Sequence, residues 1–127
     1  MPKARIFSHR IHYHVVNGYA VVRPEGACDE GTTEALASFA NSPLVESCNL
    51  IIDLSHVEYV ETPGYRWIVR QFRQLETSGK ALVVVGLPKS VRRAFELLRL
   101  DSIVPTAETV TEAMHKLSST EPLALIA

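Results

Sequence analysis

Two neighbouring stretches decide how this chain is read: Asn49-Leu50-Ile51-Ile52-Asp53-Leu54, and shortly after it Val60-Glu61-Thr62-Pro63-Gly64. The first is nearly continuously apolar, as expected of a strand covered on both faces. The second is built like the start of a helix. Thr62 suits the N-cap, where its hydroxyl accepts from the free N–H groups of the first turn. Pro63 then falls at the first helical position, where its fixed φ fits and its missing N–H is not missed. Gly64 follows without a side chain, at a cost of about 1 kcal/mol relative to Ala in a helix interior and less near the end. Two readings stand at this level: a well-made helix start and nothing more, or a helix N-terminus presented to a partner or a phosphate.

Downstream, the pattern predicts a helix from about Pro63 to Thr77. Tyr65, Ile68, Val69, Phe72 and Leu75 recur at helical spacing as its core face. Arg66, Arg70 and Arg73 lie on the other side. Trp67 falls about 200° from Tyr65 at 3.6 residues per turn. Either a neighbouring loop covers that Trp on a solvated basic face, or Trp67 and the arginines anchor an interface, since Trp and Arg are favoured anchors. Ser78-Gly79 stops the helix. Ala81 to Gly86 is a second buried strand. Pro88 opens another helix with Val91, Ala94, Phe95 and Leu98 inward. Ser102-Ile103-Val104 reads as a short edge strand. Thr109 caps a last helix with Val110, Ala113, Met114 and Leu117 on one side.

Upstream, His12-Tyr13-His14-Val15-Val16 and Tyr19-Ala20-Val21-Val22-Arg23 are β-rich runs separated by Asn17-Gly18, a strong hairpin signal. Pro24 to Asp29 reads as a turn. A helix follows from about Thr32 to Ala40, with Leu36, Phe39 and Ala40 apolar. The order is hairpin, helix, then strand–helix units. That predicts an α/β domain whose mixed sheet joins an N-terminal antiparallel hairpin to parallel strands, with about four helices.

The 127 residues suit a single domain, 1–127, with its core at about 12–117 and an apolar C-terminal tail at 119–127. With 46% hydrophobic residues the chain supports a real core. A net charge of -1 gives no bulk pull toward nucleic acid. No stretch approaches the roughly 18 apolar residues of a membrane span, and no apolar run follows Met1-Pro2-Lys3-Ala4-Arg5 as in a signal peptide. Cys28 and Cys48 form no CxxC, so reduced thiols and a cytoplasmic location are the expectation.

Chemistry-bearing motifs are absent. There is no GxxxxGK[ST], no GxGxxG after a strand and no GxSxG. The acids Asp29, Asp53, Glu58 and Glu61 have no informative partner spacing. His12 and His14 could hold two corners of a metal site, but no third ligand is evident. The expectation is no enzyme, no cofactor and no metal.

Three places carry a family resemblance. Gly26-Ala27-Cys28-Asp29 is similar to a Gly-x-hydrophobic-Asp turn after a second strand. Ile51-Ile52-Asp53-Leu54 followed by Val60-Glu61-Thr62-Pro63-Gly64 resembles a strand and then an Asp-Ser-Ser-Gly phosphorylation loop. Gly86-Leu87-Pro88 with Val91, Arg93, Phe95, Leu98, Leu100 and Ile103 resembles a third strand–helix unit. In this order they resemble the STAS domain family: the anti-sigma-factor antagonists and related domains of stressosome proteins and transporters. The likeness runs from about His12 to Leu117.

The resemblance implies a non-catalytic regulatory protein. In the antagonists the unphosphorylated protein binds a kinase that is also an anti-sigma factor, and phosphorylation of the loop's second Ser breaks that complex. Here Glu61 stands for the Asp, Thr62 for the first Ser and Pro63 for the phosphorylated Ser. Proline has no hydroxyl, so that switch cannot operate at position 63. Arg99-Leu100 replaces the family's Gly-Leu.

Thr62 is the alternative acceptor. A phosphate there would bring about -1.5 to -2 charges beside Arg66. Against it, Thr62 as N-cap already engages its oxygen, and Pro63 removes an N–H. The resulting expectation is a module that docks an anti-sigma kinase or similar signalling protein, with partner-binding residues Asp29, Thr62, Gly64, Arg66, Trp67 and Arg70. Gly64 would admit a partner backbone. The alternative is a non-phosphorylatable scaffold or regulatory subunit of a stressosome-like complex or a transporter, self-associating through the apolar tail.

Overall fold

The computed structural model describes residues 11–43 and 45–117, together with the backbone of Arg5–Ile6. In chain order the elements are β1 (Arg5–Ile6), β2 (Ile11–Val16), β3 (Tyr19–Pro24), β4 (Gly26–Cys28), α1 (Glu30–Ala40), β5 (Asn49–Asp53), β6 (Val57–Val60), α2 (Thr62–Thr77), β7 (Leu82–Val85), α3 (Lys89–Leu97), a 3₁₀ turn (Leu100–Ser102), β8 (Thr106–Ala107) and α4 (110–117).

The main sheet has the order β1-β2-β3-β5-β7-β8. β1, β2 and β3 are antiparallel; β3, β5, β7 and β8 run parallel. This is the expected mixed sheet with an antiparallel hairpin and four helices. The hairpin turns on Asn17 (φ 50) and Gly18 (φ 81). Both central residues need positive φ, which fits the right-handed twist of the strands and explains the Asn-Gly pair.

Successive strand residues point to opposite faces, and both faces of the central strands are covered. Leu50, Ile52, Leu82 and Val84 join Leu36 and Phe39 of α1, Trp67 and Ile68 of α2, and Val91 and Phe95 of α3 in one core. Ile51, Val83 and Val85 face the other way, with Ala107 and Ala113, against Val110, Met114 and Leu117 of α4. Thus α1, α2 and α3 lie on one face and α4 on the other. That is why Leu50 to Ile52 of β5 and all of β7 are apolar. Asn49 opens β5, and its Oδ1 accepts from the Ala81 amide at 2.9 Å, tying the start of β5 to the approach of β7.

The structure corrects the expected layout in three places. Gly26–Cys28, read as part of a turn, is β4, and it pairs in parallel with β6 as a separate two-stranded ribbon. Gly-Ala-Cys carries none of the β-branched or aromatic signal of a strand, and β6 is only four residues long. Helix α1 starts at Glu30, because Asp29 is its N-cap: Asp29 Oδ1 accepts from the Thr32 amide at 2.9 Å. The segment Ser102-Ile103-Val104 is not a strand. Val104 is fully buried beneath the 3₁₀ turn, its amide bonded to the Leu100 carbonyl at 2.8 Å. The edge strand is Thr106–Ala107, and the Val84 amide reaches the Pro105 carbonyl at 3.0 Å.

Arg99, just past α3, has φ 58. This left-handed conformation costs an L-residue about 1–2 kcal/mol, and it sits where the resembled family has Gly. The tail 119–127 lies outside the described residues. Among the described residues no helix is long and apolar enough to cross a membrane.

Two substitutions test these local assignments by urea unfolding. Asp29→Ala is expected to lower stability by about 0.5–2 kcal/mol, with Asp29→Asn near wild type, since Asn caps as well as Asp. Arg99→Gly is expected to raise stability by up to about 1 kcal/mol, the αL cost being partly offset by glycine's greater freedom when unfolded. A destabilising Arg99→Gly contradicts the strain.

Candidate protein-docking site

The β4–β6 ribbon delivers the starts of α1 and α2 to the same end of the domain. Cys28 pairs with Val60 in register, and the Glu61 amide donates to the Cys28 carbonyl at 3.0 Å. Glu61, not Thr62, is the N-cap of α2. Its backbone is extended (φ -85, ψ 162) and its side chain makes no capping bond. Thr62 is therefore the first helical residue and Pro63 the second, one position later than the sequence pattern predicts. Proline fits either site, so the sequence did not fix the boundary. Thr62 is exposed and is not held as a cap acceptor.

A helix start usually offers an anion several free N–H groups. Here the Glu61 amide goes to Cys28, Pro63 has none, and the Gly64 amide goes back to the Glu61 carbonyl at 2.9 Å. The end of α2 is thereby poor in donors.

Gly64 is buried and faces inward. A Cβ there would lie 2.7 Å from Val60 Cγ1, 3.4 Å from Cys28 Sγ and 3.5 Å from Thr33 Oγ1. Its role is to let α2 seat on the ribbon and α1, not to admit a partner backbone. Trp67 is also corrected: it is 5% exposed and belongs to the main core. A single covering surface would leave Trp67 opposite the core face. Helix α2 packs on α1 as well as the sheet, so its buried stripe is Gly64, Trp67, Ile68, Gln71 and Leu75. Tyr65, Val69 and Phe72 are pushed to the margin and are only partly buried. Asp29 is engaged as the α1 cap. Of the expected partner-binding residues, Thr62, Arg66 and Arg70 remain outward.

These three line a groove of about 1140 Å³ between α2 and the end of α3. Val60, Pro63, Tyr65, Val69, Leu98 and Leu100 supply its apolar surface; Glu61, Thr62, Arg66, Arg70 and Arg73 complete it. The rings of Tyr65 and Phe95 meet edge-on at 6.0 Å and brace α2 against α3. Leu98, expected inward, is 57% exposed. Helix α3 already seals its core contact with Val91 and Phe95. The run Leu97-Leu98 with Leu100 was the legible hint: more leucines than one narrow stripe needs.

Arg66, Arg70 and Arg73 are exposed. Among the described residues no acid lies within ion-pair distance of them; the ion pairs present are His12–Glu25, Arg23–Glu25, Arg92–Glu108 and Lys116–Glu112. His12 Nε2 is 3.0 Å from Glu25 Oε1, which accounts for its polar end. Among the described residues no group of three His, Cys, Asp or Glu is placed to hold a metal ion.

Cys28 lies under the site. Burial pushes its thiol pKa up, the Thr33 hydroxyl at 4.0 Å opposes this, and Asp29 and Glu61 push it further up. A buried, neutral thiol is inert. Burial, and then Cys28, likewise raise the Tyr65 phenol. With both cysteines buried, the native protein is expected to react with a disulfide reagent at pH 8 only as fast as it unfolds, whereas chain in urea reacts at once. A fast-reacting Cys28 in folded protein contradicts the assignment. Gly64→Ala is expected to lower stability by about 1–3 kcal/mol through overpacking, and adding Val60→Ala to recover part of that loss. Additive losses in urea unfolding exclude the clash.

Comparison with known proteins agrees with this geometry. A family model for the STAS domain matches residues 10–113. A Thermotoga maritima protein with a provisional assignment as an anti-sigma factor antagonist superposes with TM-score 0.77 at 24% identity, covering 85% of this chain and 94% of that one. An anti-sigma factor antagonist from Mycobacterium paratuberculosis does so with TM-score 0.74 at 26% identity, covering 84% and 91%. RsbS from Moorella thermoacetica, solved as a single-substitution variant, gives TM-score 0.71 at 24% identity, covering 90% and 99%. With the family model matching most of its length, the chain belongs to the STAS domain family.

Proposed function

We propose that this STAS domain is a non-catalytic regulatory module that docks a protein partner through the surface from Glu61 to Arg70, without a phosphoswitch at position 63. The anti-sigma-factor antagonists among its structural neighbours support an anti-sigma kinase or related signalling protein as the partner class. One observation carries the reading. At the end of α2, where the resembled family keeps its phosphorylation loop, exposed Glu61 and Thr62 adjoin an apolar groove edged by arginines that have no acid partner among the described residues. The donor-poor helix start supports the lack of a phosphate-reading role there, and Pro63 offers no hydroxyl.

Thr62 is freer than its sequence context implied, since it is not the cap. Arg66, one turn on, would face a phosphate placed on it. The proposal is that Thr62 stays unmodified, because the local amides leave such a phosphate few donors. Intact mass after incubation with ATP and cell lysate tests this. No added phosphate is expected on the wild type; a gain of one phosphate that Thr62→Val abolishes overturns it.

A second reading, a scaffold subunit of a stressosome-like complex or a transporter, is favoured by the same Pro63. A surface that cannot be switched off there suits constitutive assembly. Light scattering separates the two: a monomer that associates only on adding a signalling partner supports the first, a stable homo-assembly the second.

A further inference from the structure

The groove beside α2 has a shape and a charge pattern that specify more than a surface. Residues Tyr65 and Val69 form its α2 wall, and Arg66, Arg70 and Arg73 run beside them, displaced by one residue, about 100° around the helix. The arginines stand at i, i+4 and i+7, on one stripe spanning about 10 Å along the axis. Opposite, Leu98 and Leu100 form the other wall, with Leu98 mostly exposed. The groove thus has two apolar walls and a basic rim along one side. Among the described residues Glu61 is the acid that lines it, at the α2 N-terminal end.

Both walls are the side chains of helical turns. Among the described strands, β6 reaches the groove with its last residue, Val60, which leaves little main chain for an occupant to pair with as an added strand. A helix laid into a helix–helix groove requires only side-chain contacts, read at i, i+3, i+4 and i+7. An unpaired cationic stripe favours carboxylates at matching spacing, and such rim charges steer association and set partner choice.

We infer that the groove receives an acidic amphipathic helix of the protein partner. Its apolar stripe packs between Tyr65/Val69 and Leu98/Leu100, and a flanking row of Glu or Asp faces Arg66, Arg70 and Arg73. This rests on the docking surface proposed above and names the chemistry of what docks there. Three arginines one helical turn apart engage acids at the same spacing on a helix lying alongside. Glu61 places those acids toward the Arg73 end rather than at the start of α2.

The probe is a designed peptide of about 18 residues, longer than the roughly 12–15 below which isolated helices are marginal in water. It carries Leu at i, i+3, i+4 and i+7 with Glu beside them; a matched peptide replaces every Glu by Lys. Each is titrated into the full chain, with affinity read by fluorescence anisotropy and location by backbone amide shifts. The Glu peptide is expected to shift residues 60–73 and 98–100. It should weaken as added salt shortens the Debye length from about 10 Å toward 3 Å. The double reversal Arg66→Glu/Arg70→Glu should weaken it roughly five- to thirtyfold and favour the Lys peptide instead. Leu98→Ser should weaken both. All the altered side chains are exposed, so the variants are expected to fold. Equal binding of both peptides at residues 60–73 overturns the acidic-helix inference and leaves the docking surface standing. Shifts confined to another face overturn both. Binding of phosphatidylglycerol vesicles that the double reversal abolishes, with neither peptide bound, overturns the inference in favour of a membrane surface.

Discussion

Gly64 brings the first turn of α2 so close to the β4–β6 ribbon that a single added carbon would lie 2.7 Å from Val60 Cγ1. The approach is possible because the ribbon is itself narrow, with Cys28 opposite Val60 and the Glu61 amide bonded to the Cys28 carbonyl. Thr33, at the start of α1, closes the same contact from the other side. Its hydroxyl donates to the Asp29 carbonyl at 2.8 Å, so it is buried without leaving a polar group unpaired. Two helix starts and two short strands therefore meet at one buried point. The position of α2, and with it every outward residue of the site, depends on that meeting.

From this contact the rotation of α2 follows. With Gly64 facing the ribbon, the buried stripe must continue through Trp67, Ile68, Gln71 and Leu75. The next stripe around, Tyr65 and Val69, becomes the wall of the groove, and the one beyond it, Arg66, Arg70 and Arg73, becomes the rim. A small turn of the helix would exchange these roles. Leu98 and Leu100 face the groove because Arg99, just past α3, takes a left-handed conformation that turns the chain sharply into the 3₁₀ segment. The site is thus set at both walls by backbone geometry, at a glycine on one side and at a strained arginine on the other.

The electrostatics of the site differ from what a helix N-terminus usually provides. Its Glu61 and Gly64 amides are bonded within the domain and Pro63 has none, so it presents Glu61 and a threonine hydroxyl with few amides to make a nest for anions. Positive charge enters instead from side chains further along α2, in solvent, where it acts over a Debye length of about 8–10 Å and is screened by salt. Such charge suits choosing among partners better than holding a phosphate. Pro63 belongs to the same arrangement. It fits the helix start, removes one amide and offers no hydroxyl.

Much of this was legible in the sequence. Asn17-Gly18 specified the hairpin, because only a turn with two positive φ values matches strand twist there. The unbroken apolar runs of β5 and β7 specified a sheet covered on both sides, and Thr109 the start of the last helix, where it accepts from the Glu112 amide at 3.1 Å. These are local or periodic signals, and the chain carries them residue by residue. The junction motifs pointed to Glu61 to Gly64, the start of α2, but not to the groove beside it, which also takes Leu98 and Leu100 from beyond the end of α3.

What the sequence did not carry is which side of a residue is covered, since that depends on neighbours distant in the chain. Trp67 and Gly64 looked like surface features until α1 and the β4–β6 ribbon were placed against them. Leu98 looked like core until Val91 and Phe95 had filled that contact. The three-residue strand β4 has no propensity of its own and exists because Val57 to Val60 lies beside it. Sequence periodicity determined the elements and their order. Only the tertiary structure decided how far each helix is rotated, because that is fixed by contacts between segments that no local pattern records.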